Sequence, residues 1–149
     1  MVSKFNSPLP TVDIIVYDSK HNEIVLIERK FEPRGWALPG GFVDYGESLE
    51  SAAIRECWEE TSLNVELLCQ FQTYSNPVRD SRKHTISTVY IAQRIDGALC
   101  ARDDALNAKW HNILTLPKLV FDHTQILTDF VNNYVTKQRF FIQSRNINI

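Results

Sequence analysis

The chain has 149 residues, 44% of them hydrophobic and 11% aromatic, enough to bury one good core, so a single domain over 1–149 is expected. A formal charge of −2 and a pI near 6.1 supply no electrostatic footprint for nucleic acid or an anionic membrane. The cysteines, Cys57, Cys69 and Cys100, are odd in number and lack metal-site spacing, which argues against a disulfide framework or a zinc site and for the reducing cytoplasm. MVSKFNSPLP has no apolar leader-like core, and no run approaches the roughly 18 apolar residues of a membrane span.

In chain order, 12–17 and 24–29 read as strands joined by the turn-rich 18–22, a simple hairpin. Trp36-Ala37-Leu38-Pro39-Gly40-Gly41 leads into a helix predicted over 48–61. Strands follow over 65–73 and 85–94, the second closed by Asp96-Gly97, with a last one over 108–113. Apolar residues at 126, 127, 130, 131, 134 and 135 give 121–135 a helical period with Asp122 near its start. Periodicity alone leaves α/β and α+β both open.

The chemistry concentrates in GFVDYGESLESAAIRECWEETSL, residues 41–63. On the predicted helix Glu56, Glu59 and Glu60 stand at i, i+3 and i+4 and share one face. Their repulsion, a few tenths of a kcal/mol per pair, is small beside what a divalent cation would return. An oxygen-only donor set suits a hard ion such as Mg²⁺ or Mn²⁺. Ser48 is a candidate N-cap, with Glu47 beside the positive end of the helix dipole. Ala52, Ala53 and Cys57 are small enough to pack on a sheet, and Ile54 and Trp58 lie opposite the acids. Arg55, four residues before Glu59, can orient a neighbouring carboxylate.

This segment resembles the Nudix box, G-x5-E-x7-R-E-U-x-E-E-x-G-U with U aliphatic. Gly41, Glu47, Arg55, Glu56, Glu59, Glu60 and Leu63 fall in register, Cys57 takes an aliphatic place, and Ser62 stands where glycine is expected. A serine there implies either a strained left-handed turn or a remodelled helix end, and Leu63 in its usual place favours the strained turn. The resemblance implies an α/β fold, a Nudix-type α/β/α sandwich with a mixed β-sheet. It also implies metal ligation by Glu56 and Glu60, with Glu59 a third ligand or a base, and by a backbone carbonyl of Gly40 or Gly41.

Outside the box, TVDIIVY, RKFEPRGWALPGGFVDYGES, YSNPVRDSRKHTISTVYIA, RDDALNAKWH and FDHTQIL are similar to the bacterial ADP-ribose pyrophosphatase branch of the same superfamily. That likeness implies metal-dependent cleavage of a small nucleotide substrate, ADP-ribose, to AMP and ribose 5-phosphate. Hydrolysis of an oxidised nucleoside triphosphate and non-catalytic ADP-ribose binding are the competing readings, and a homodimer is compatible with all three. Arg29, Arg34, Arg79 and Arg82 are candidates to clamp phosphate or ribose, against a plain solvated charge. Phe31, Trp36, Tyr74, Trp110 and Phe121 are candidates to stack on adenine, against a place in the core, with Trp36 and Tyr74 expected at the cleft border. Asp103 and Asp104 either activate water or cap a turn, and His84 and His123 read as packing or hydrogen-bonding residues.

Overall fold

The computed structural model describes residues 6–138. Residues 1–5 and 139–149 of the expected single domain lie outside it. Strands β1 (Leu9–Asp18) and β2 (Glu23–Arg29) form the expected antiparallel hairpin, with Tyr17 opposite Ile24. Two short strands follow, β3 (Trp36–Ala37) on β2 and β4 (Gly40–Phe42) on β1. Helix α1 (Leu49–Thr61) leads to β5 (Asn64–Tyr74), β6 (Thr85–Asp96) and β7 (Ala105–Asn112).

The sheet runs β3-β2-β1-β6-β5, with β4 also on β1 and β7 also on β2. β1 and β6 are parallel, from Leu9 opposite Thr85 to Val16 opposite Ala92, and the other strand pairs are antiparallel. The sheet is therefore mixed, as expected.

Because side chains alternate along a strand, each central strand serves two cores. Val12, Ile14 and Val16 of β1 join Tyr90 and Ala92 of β6 against Ala52, Ala53 and Cys57 of α1. Ile15, Val89 and Ile91 face the other way, onto Ile126, Leu127 and Phe130 of the second helix, α2 (His123–Phe130). The layers are thus α/β/α. Ile54 and Trp58 stay about half exposed on the outer side of α1.

Helix α2 begins two residues later than the periodicity predicts. Phe121 sits outside it in a left-handed conformation, φ 56°, and the chain continues past Phe130 as a π-helical turn over Val131–Val135. At the other helix, Ser48 caps α1 by accepting from the Ser51 N–H. Ser62 ends it in the left-handed region, φ 62° and ψ 13°, with its N–H on the Trp58 carbonyl. The strained alternative is the one observed. Ser62→Gly is expected to raise stability by roughly 0.5–1 kcal/mol with activity little changed, read as a melting temperature higher by a few degrees. A lower melting temperature would show that the Ser62 hydroxyl, 3.3 Å from the Cys100 carbonyl, outweighs the backbone strain.

Candidate active site

The end of β4, the acid face of α1 and the loops at 30–34, 79–85 and 103–104 enclose a cleft of about 320 Å³. Glu56, Glu59 and Glu60 all line it. Glu60 is 5% exposed, and its Oε2 accepts the Gly40 N–H at 2.9 Å. Burial, with the Glu56 charge beside it, pushes the Glu60 carboxyl up to about 8 against the opposing Gly40 hydrogen bond and Arg29. Glu56 is raised too, by burial first, although Arg55 pulls the other way.

Arg55 is the hub of the acid face. Its Nε and Nη2 each reach Glu47 at 2.8 Å, and its Nη1 reaches Glu56 at 2.8 Å and Glu59 at 3.1 Å. Nη2 also donates to the Phe42 carbonyl at 3.1 Å, tying α1 to β4. Glu47, which directly precedes the Ser48 cap, thus also binds Arg55, and those hydrogen bonds hold its carboxyl down at about 2.

The glycines fit the acids closely. A Cβ on Gly41 would come within 2.4 Å of the Glu56 carboxylate, and one on Gly40 would fall 2.2 Å from the Val12 carbonyl. Only a residue without a side chain lets β4 lie between β1 and the acid face. Among the described residues no three His, Cys, Asp or Glu side chains converge as a ready-made metal cage. The donors suit an ion that keeps several waters and takes one or two carboxylates, with backbone oxygen close by.

The expected phosphate clamps separate into different roles. The Arg79 side chain is 5% exposed, with Nε and Nη2 on Asp122 at 2.8 and 2.7 Å, Nη2 also on Asp13 at 3.3 Å, and Nη1 on Thr85 at 3.1 Å. Arg82 is held by Asp80 through Nε at 3.0 Å and Nη2 at 2.8 Å, and by the Glu32 carbonyl at 3.1 Å. Arg34 is exposed beside Glu32. Arg29 donates Nε to the Pro33 carbonyl at 2.9 Å, and its terminal nitrogens have no carboxylate at salt-bridge distance among the described residues.

The aromatic expectations need correction. Trp36 and Tyr74 do not line the cleft, whereas Phe31 and Phe121 do. Trp36 packs edge-on against His111 at 4.7 Å, and the Tyr74 hydroxyl donates to Asp129 at 2.8 Å beside the α2 core. Trp110 packs in the α1-side core. Phe121 holds its left-handed backbone at a cost of roughly 1 kcal/mol for a residue with a Cβ. Asp103, also left-handed at φ 51°, lines the cleft with Asp104, at the end of a loop whose Cys100 and Arg102 N–H groups cap the Thr61 and Glu60 carbonyls.

Asp13 is a cleft residue without a role in the sequence reading. It accepts from Ser87 and Arg79 and lies 3.3 Å from His123 Nε2, while His123 Nδ1 accepts the Leu38 N–H at 2.9 Å, which places the ring proton on the Asp13 side. Burial alone would raise Asp13, but His123, Arg79 and Ser87 prevail and hold it at about 2. His123 is thus a buried hydrogen-bonding residue, and His84 is exposed. A carboxylate inside the apolar run TVDIIVY is the signal that marks Asp13.

Comparison with known proteins assigns this sandwich and its carboxylate-lined cleft to a family. The chain matches the NUDIX domain over residues 7–130 and belongs to that family. It is 46% identical over 126 residues to an ADP-ribose pyrophosphatase of Methanocaldococcus jannaschii, a match covering 83% of this chain and 73% of that one. A bifunctional NMN adenylyltransferase/ADP ribose pyrophosphatase of Francisella tularensis, solved with AMP and a Mn ion, superposes with a TM-score of 0.76 at 32% identity. That match covers 87% of this chain but 43% of the longer one. The NUDIX domain of Shewanella oneidensis NrtR, solved with ADP ribose, gives a TM-score of 0.71 at 30% identity over 91% of this chain and 90% of that domain.

Proposed function

We propose that this Nudix protein hydrolyses ADP-ribose to AMP and ribose 5-phosphate with the help of Mg²⁺ or Mn²⁺. The observation that carries the reading is the buried Glu60 carboxyl beside Glu56 in one cleft: Glu56 shares Arg55 with Glu47 and Glu59, and Glu60 has no salt bridge among the described residues. Glu56 and Glu60 would hold the cation, with Glu59 and the carbonyl of Gly40 or Gly41 as further donors. Once bound, such an ion neutralises diphosphate charge and lowers the pKa of a water.

Everything else in the reading falls to the chain itself. Arg55 fixes Glu56 and Glu59 in direction and leaves their remaining lone pairs free. Glu59, 35% exposed along its side chain, would take a proton from water or complete the ligand set. Arg29 offers its free guanidinium edge to the diphosphate. The cleft volume fits a small nucleotide. The M. jannaschii and Shewanella relatives support ADP-ribose over a triphosphate. Three free cysteines fit a cytoplasmic enzyme, and no described helix is long and apolar enough to cross a membrane.

The test is a substrate panel of ADP-ribose, NADH, diadenosine polyphosphates and 8-oxo-dGTP, with Mg²⁺ and then Mn²⁺, and with products identified. ADP-ribose is expected to give AMP with a kcat/KM at least about tenfold above any triphosphate, a margin that one or two substrate contacts supply. A triphosphate at the top of the panel would overturn the substrate. Turnover unaffected by EDTA would overturn the metal, and tight ADP-ribose binding without turnover would make the chain a binding module.

A further inference from the structure

Of the guanidinium groups around the cleft, Arg55, Arg79 and Arg82 are each fastened to carboxylates at 2.7 or 2.8 Å. Arg29 is not: its Nε rests on the Pro33 carbonyl at 2.9 Å, and its Cζ lies 5.0 Å from the centroid of the Phe121 ring. The clamped Arg82 lies over the same ring at 5.3 Å. Phe121 reaches this place by a left-handed turn, φ 56°, directly after Val120 N–H bonds the Trp36 carbonyl and directly before Asp122 grips Arg79. Glycine or asparagine would make that turn with less strain, so a bulky side chain kept there points to use of its ring.

We infer that Phe121 is a positioning residue: its ring, shared with the Asp80-bound Arg82, is the platform that together with the Pro33 carbonyl aims the terminal nitrogens of Arg29 at the substrate's diphosphate. The inference rests on the reading of the cleft as a diphosphate site. A guanidinium stacked on a π face keeps its in-plane N–H groups free for phosphate oxygens. Holding the side chain beforehand removes an ordering cost from binding, so the ring acts on affinity and not on the chemical step. Burial first, and the Arg82 charge second, lower the pKa of Arg29, and an anion between the two guanidinium groups would oppose this.

The experiment is a double-mutant cycle of Arg29→Gln and Phe121→Leu, with Phe121→Tyr as the conservative control and a melting curve for every variant. Phe121→Leu is expected to raise KM for ADP-ribose about tenfold with kcat within about threefold, while Phe121→Tyr stays within about twofold. Calorimetric Kd for ADP, which carries the diphosphate without the second ribose, should weaken by the same factor. Adding Phe121→Leu to Arg29→Gln should change little further, because the ring acts through the arginine. Independent, multiplying effects would overturn the inference, as would an equal loss of affinity for adenosine, which has no phosphate. If the wild-type protein leaves ADP-ribose intact, the substrate reading fails on its own, and the ADP-binding cycle still decides the role of Phe121.

Discussion

Glu60→Gln should lower kcat roughly a hundredfold to a thousandfold, the loss typical of a group that meets charge developing in the transition state. The same change should stabilise the metal-free protein. Glu60 has its folded-state pKa raised, to about 8 from an ordinary 4.5. An acid shifted upward favours folding fully below its unfolded value, and that contribution is lost as pH climbs through the folded value. Metal-free wild type should therefore lose melting temperature between about pH 4.5 and pH 8, and Glu60→Gln should flatten the loss, with its largest advantage at the alkaline end. Added Mg²⁺ should reverse the order of the two proteins and release a proton from the wild type at pH 7, visible as buffer-dependent binding heat. Near-normal turnover of Glu60→Gln at saturating metal would remove Glu60 from the catalytic set.

Arg79→Ala should cost about 3–5 kcal/mol, a melting temperature lower by about 10 °C, because it strands Asp13 and Asp122 without their shared cation. The pH dependence identifies the cause. Asp13 has a depressed folded pKa, so its stabilisation is present above about 3.8 and is lost as pH falls through about 2. Removing Arg79 raises that folded value, so the gap between wild type and Arg79→Ala should narrow as the solution is acidified from about pH 4 toward pH 2. A raised KM with an unchanged melting curve would instead return Arg79 to substrate binding, as its sequence context suggested.

The contrast between Arg55 and Arg79 shows what a chain lets one read. Arg55 meets Glu56 and Glu59 within one helix, where spacing fixes geometry, so its role as an orienting group follows from the letters. The partners of Arg79 lie 43 and 66 positions away, on the rim of α2 and in the middle of β1. No local period carries that information, and an arginine in a polar loop reads as a solvated clamp. Trp36 and Phe121 differ for a related reason. Which face of a two-residue strand points at the cleft depends on its register with β2, and an aromatic that opens a helical period reads as helix until a left-handed turn takes it out. The α/β/α layering was legible only through the resemblance, since periodicity left α/β and α+β open, and the Glu47–Arg55 pair was not read because eight positions of loop and helix separate the two residues.

The parallel pairing of β1 with β6 carries a kinetic burden. Leu9 waits for Thr85 and Val16 for Ala92, so the most apolar strand of the sheet is made about 75 residues before its parallel neighbour. At elongation rates of about 5–20 residues per second, that interval lasts roughly 4–15 s. Meanwhile the β1–β2 hairpin offers two unpaired apolar edges to any other nascent chain, that of β1 awaiting β6 and that of β2 awaiting β7. Slow-codon variants placed between β5 and β6 should then lower soluble yield at unchanged final stability, and holdase chaperones engaging nascent chains should be found on lengths that end before residue 96.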